Sequence, residues 1–114
     1  MGKNDDLAEQ ILRTYAEASV NEGVIFMTYG DLAKRLGRPG QHRLLGDPLD
    51  RLRNLCAERG LPDVATMIVD KPSLHAGTVE PSARALEKYG GWFDLRAEQA
   101  RVISYDWSAV FKNG

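Results

Sequence analysis

The sequence predicts one α+β domain over residues 1–114, with helices packed on a small antiparallel sheet. Three observations carry this. At 114 residues, with 43% hydrophobic and 27% charged side chains, the chain suits one modest core. Apolar residues recur at helical spacing in stretches that each stop at a glycine. Between them lie short runs rich in β-forming residues, "VIFM" and "VATMIVD".

Taken in order, Asn4 predicts an N-cap, and Asp5 and Asp6 put negative charge on the first helical turn. Leu7, Ile11, Leu12, Tyr15 and Ala18 then follow at helical spacing, so a helix runs to about Asn21 and Gly23 ends it. Residues 24–27 read as a short buried strand. Thr28 caps a second helix whose Leu32, Ala33 and Leu36 face inward, and Gly37 stops it. Pro48 would break a helix interior but is tolerated at a first helical position. The spacing therefore predicts a short helix at 41–45 and another at 48–59, with Asp47 as its cap and Leu49, Leu52, Leu55 and Cys56 as its apolar stripe. Residues 64–70 read as a strand, "KPSLHAGT" as loop, and "PSARALEKYG" as a short helix ended by Gly90. A helix from Asp94 to about Gln99 and a strand over 101–106, paired with 64–70, complete the order. Helix, short strand, helix, tight turn, helix and strand pair is the succession of a winged helix-turn-helix.

Charge and cysteine usage narrow the function classes. No apolar run approaches the roughly 20 residues of a membrane span. The segment "MGKNDDLAEQ" lacks the apolar core of a secretory signal, and one cysteine forms no internal disulfide, so a cytoplasmic location is expected. Net charge is −1, unlike a non-specific nucleic-acid binder. Its distribution is uneven. Residues 1–33 carry a net of −4, whereas 34–59, with Lys34, Arg35, Arg38, Arg43, Arg51, Arg53 and Arg59, carry a net of +4.

The stretch "GVIFMTYGDLAKRLGRPGQHRLLGDPL" resembles the DNA-binding half of the alkylguanine-DNA alkyltransferases and alkyltransferase-like proteins. The matching residues are Gly23, Thr28, Tyr29, Gly30, Leu32, Ala33, Gly37, Pro39, Arg43, Leu45 and Gly46, and the likeness covers about residues 23–50. The resemblance implies that Arg43 enters the base stack where a nucleotide is flipped out, and that Tyr29 helps turn the phosphodiester. A planar guanidinium can fill such a gap and hydrogen-bond the orphaned base. Thr28, Gly40, Gln41 and His42 belong to the same expected DNA contact surface, with Lys34, Arg35 and Arg38 supplying charge. Active members carry a Pro-Cys-His-Arg motif whose cysteine accepts the alkyl group. Here Leu61 and Pro62 are followed by Asp63 and Val64, with Asp63 at the cysteine's place, so alkyl transfer is not expected.

Other constellations read as structural. Cys56 sits on an apolar stripe and reads as core. His42 and His75 have no ligand cluster near them, so no metal is expected, and no P-loop, dinucleotide fingerprint or G-x-S-x-G suggests a cofactor or hydrolase. Asp47, Asp50, Asp63, Asp70 and Asp106 are each explained by caps and turns. Of Trp92, Phe93, Tyr105, Trp107 and Phe111, at least three are expected to close the core, with Trp92 the candidate for exposure. Two readings follow. The first is a non-catalytic protein that binds double-stranded DNA, damaged or distorted duplex included. The second is a winged-helix domain that contacts a protein partner or forms a homodimer, through its acidic first helix and aromatic tail.

Overall fold

The structure, a computed structural model, describes residues 3–81 and 83–112. The long helix α1, Lys3–Glu22, begins one residue before the expected cap, and the Asn4 side chain lies outside the described residues. Gly23 closes it in the left-handed region at φ +70°, its N–H donating to the Ser19 carbonyl at 3.1 Å. Ala8, Ile11, Leu12, Tyr15 and Ala18 recur at intervals of three and four and are fully buried, chiefly against α3, Gly46–Glu58. From α3, Leu52 and Cys56 meet them, and Leu49 and Leu55 close the rim of the same core.

The sheet departs from expectation. It has two short strands, β1 at Met27–Thr28 and β2 at Ile68–Val69, and they run parallel, with Met27 opposite Ile68 and Thr28 opposite Val69. Parallel strands need a crossover, which here contains α2, Tyr29–Arg35, and α3. An antiparallel sheet is thereby excluded for this pair. Met27, Ile68 and Val69 are buried, as parallel strands covered on both faces require. Of the expected strand at 24–27 only Met27 joins the ladder, while the Tyr15 hydroxyl donates to the Ile25 carbonyl at 2.8 Å and fixes the extended segment before it.

The expected strand at 64–70 is half 3₁₀ turn, Val64–Met67, before β2 begins. The expected strand at 101–106 is mostly helix. It forms the last turn of α6, Trp92–Ser104, because Leu95, Gln99 and Val102 are buried at helical spacing while Ile103 is half exposed. The "KPSLHAGT" loop is also corrected. It holds a helix, α4 at Lys71–Ala76, capped by Asp70 and ended by Gly77. Helix α5, Ala83–Tyr89, and its Gly90 stop match the sequence reading. A last turn, α7 at Ala109–Lys112, follows.

Four of the five C-terminal aromatics have described side chains. Trp107 is buried, edge-on to Tyr15 and tilted against half-buried Tyr105. Trp92 and Phe93 are exposed, Phe93 at 85%, so two of the four described aromatic side chains pack on the core, and the Phe111 side chain lies outside the described residues. Cys56 is fully buried, and burial pushes its thiol up to about 11.

Candidate nucleic-acid interface

The segment 28–46 begins with a cap. Thr28 is extended and its Oγ1 accepts the Asp31 N–H at 3.1 Å, satisfying one of the open donors of α2. Leu32 and Ala33 anchor the helix in the core. At its end the Arg38 N–H donates to the Ala33 carbonyl at 2.8 Å, with Gly37 in the left-handed region at φ +76°. Gly40 takes the same conformation at φ +79°, and the Gln41 N–H donates to the Arg38 carbonyl at 3.0 Å. Two glycines thus make the reversal that a side chain at either position would strain.

After the turn, the expected helices at 41–45 and 48–59 are continuous in path. A 3₁₀ turn, His42–Leu45, runs into α3 at Gly46. Asp47 therefore lies inside the first turn of α3 rather than capping it, and Pro48 occupies a first-turn position where its missing N–H removes no helical bond. Leu45 is buried and anchors this turn, whereas its neighbour Leu44 is 63% exposed.

The seven basic residues of 34–59 separate into two groups. Arg35 donates to Glu22 through both terminal nitrogens, at 2.8 and 2.9 Å, and to Asp31 at 3.1 Å. Arg51 pairs with Asp5 and Glu58, Arg53 with Asp50 and Asp63, and Arg59 with Glu9. Three acids of α1 are therefore occupied by these arginines. Lys34, Arg38 and Arg43 are exposed and, among the described residues, take part in no ion pair. The positive region of the sequence is thus reduced in space to these three cations on α2, the turn and the 3₁₀ segment. Gly40 and Gln41 are exposed beside them, and the His42 side chain lies outside the described residues.

Thr28 and Tyr29 are half-buried and line a cleft of about 630 Å³ together with Lys34 and Gly40. Its far wall was not visible to sequence reasoning, for it is built by Lys71 and His75 of α4. The signal was present: Asp70, Pro72 two residues on and Gly77 form a cap, a first-turn proline and a stop.

Asp63 has a structural task. It is 5% exposed, its Oδ1 accepts the Ala65 N–H at 3.0 Å, and its Oδ2 accepts both the Arg53 Nε at 3.0 Å and the Tyr89 hydroxyl. Burial and the Asp63 charge push the Tyr89 hydroxyl far above the usual phenol range. Among the described residues, no three His, Cys, Asp or Glu side chains gather as a metal site, and no helix is long and apolar enough to cross a membrane. Comparison of the chain with protein-family models, with characterised proteins and with solved structures finds no match.

Proposed function

We propose that this chain is a non-catalytic DNA-binding protein that grips duplex along α2, the Gly37–Gly40 turn and the 3₁₀ segment, acting in the cytoplasm. In this reading α2 and the segment from His42 into α3 are the arms of a helix-turn-helix, within a domain of winged-helix and alkyltransferase-like type. Arg43 is the residue that probes the base stack, at damaged or distorted sites above all. The observation that carries the reading is the exposure of Lys34, Arg38 and Arg43 without acidic partners among the described residues, while the other arginines of the region are paired. Phosphate contacts position a protein on duplex, and each releases counterions, so such binding must weaken with salt.

The test is fluorescence anisotropy of a short labelled duplex, with and without one alkylated guanine, across a salt series. Each phosphate contact contributes about −0.9 to the slope of log K against log salt. Arg43→Ala is expected to abolish any preference for the lesion, and reversing Lys34 and Arg38 to Glu to abolish binding. No binding at low salt would refute the reading. A second reading, contact with a protein partner, is favoured by the exposure of Phe93 and Trp92 at the start of α6. Light scattering that finds a strict monomer, with no loss of any association in Phe93→Ser, would refute that one.

A further inference from the structure

We infer that Lys71 of α4 is a second phosphate anchor for DNA, gripping the backbone from the wall of the cleft opposite Lys34. This rests on the DNA-binding reading and extends it to an element outside the helix-turn-helix.

The strand register is the reason the two walls face each other. Thr28 lies opposite Val69, so the chain leaves the two parallel strands side by side and continues at once into α2 and into α4. Adjacent strands lie about 4.8 Å apart, which brings these two exits to one edge of the domain. The cleft between them, about 630 Å³, has Lys34 and Gly40 on one side and Lys71 and His75 on the other. A volume of this size falls in the ~300–1,000 Å³ range of clefts that hold small ligands.

Two lysines line the cleft, one from each wall. The cleft also contains two acids, and both are engaged. Asp31 Oδ2 accepts from the Arg35 guanidinium at 3.1 Å, and Asp70 Oδ1 accepts the Ser73 N–H at 2.8 Å. Lys34, Lys71 and His75 are exposed and have no polar side-chain partner among the described residues. Lys34 and Lys71 therefore face solvent without a carboxylate partner among these residues, while Asp31 shares the Arg35 guanidinium with Glu22. Lys34 is also one of the three cations of the helix-turn-helix without an ion pair among the described residues, and it is the one that lines the cleft. A lysine serves here as a point charge whose flexible stem adapts to the path of the backbone.

The experiment compares the salt dependence of duplex binding by the full chain and by Lys34→Ala, Lys71→Ala, Lys71→Gln and Lys88→Ala, the last altering an exposed lysine on α5 away from the cleft. Far-UV circular dichroism of each variant checks that the fold is retained. Losing one phosphate contact lowers the magnitude of the log–log slope by about 0.9. The expected result is that decrease in both Lys71 variants and in Lys34→Ala, with Lys88→Ala superimposing on the unaltered chain. If Lys34→Ala lowers the slope and the Lys71 variants do not, the second anchor is refuted while DNA binding stands. If the unaltered chain binds no duplex at low salt, the DNA-binding reading itself falls, and this inference with it.

Discussion

The Arg53 Nε lies 3.0 Å from Asp63 Oδ2, in a pair whose side chains are only 12% and 6% exposed. It joins α3 to the turn that precedes β2. The Tyr89 hydroxyl of α5 donates to the same carboxylate, and the Asp63 N–H donates to the Glu98 carboxylate of α6 at 2.8 Å. Four parts of the chain therefore meet at one residue. A buried carboxylate survives only when its oxygens are engaged, and both oxygens of Asp63 are.

Removing one member of a buried pair leaves the other desolvated and uncompensated. Asp63→Ala is expected to lower stability by about 3–5 kcal/mol, read from urea unfolding. Asp63→Asn, which keeps the volume and one acceptor oxygen, should cost less. A change in Asp63→Ala below ~1 kcal/mol would mean that the pair contributes little to holding α5 and α6 on the core.

Alkaline pH should destabilise the fold. Burial raises the hydroxyls of Tyr15 and Tyr89, and Asp63 raises Tyr89 further; burial pushes the Cys56 thiol up to about 11. The unfolded chain loses these protons first, at about 8.5 for Cys and about 10 for Tyr. All three contributions are thus fully present below the unfolded values and are lost as pH rises through the folded ones. The urea midpoint is expected to hold up to about pH 8 and then to fall progressively to about pH 11. Tyr89→Phe should flatten part of this decline, and a midpoint constant across that interval would contradict the assignment.

Leu44 and Leu45 are adjacent and chemically identical, yet one is 63% exposed and the other 1%. Leu45→Ala is expected to cost about 2–5 kcal/mol by opening a cavity under the 3₁₀ turn. Leu44→Ala should stay within ±0.5 kcal/mol, roughly the range for exposed sites. Thermal unfolding of the two variants decides, and equal losses would place both side chains in the core.

Residues 28–46 show how far the sequence carried. The Thr28 cap, the inward Leu32 and Ala33, and the stop at Gly37 depend on neighbours within a few positions, and they were legible as such. The continuity of 42–58 was not. A proline after an aspartate reads equally as a new helix or as the first turn of one already begun, and only the path of Gly46 distinguishes them. Residues 101–104 failed for a related reason. "RVISYDW" alternates in composition, but burial of Leu95, Gln99 and Val102 follows the helical period.

The site divides in the same way. Lys34, Arg38 and Arg43 could be named from the local excess of positive charge, but Arg35, Arg51 and Arg59 carry the same charge in the same region. What separates them is contact with Glu22, Asp5 and Glu9, which stand far earlier in the chain. The sequence by itself determined the main helices, the Thr28 cap, most of the glycine stops and most of the buried stripe, because backbone propensity and hydrophobic period act over a turn or two. Only the tertiary structure decided that the strands run parallel, that α4 faces α2 across a cleft and which arginines are neutralised. Those outcomes depend on a crossover and on ion pairs between remote segments, and no local pattern encodes which remote charge will be near.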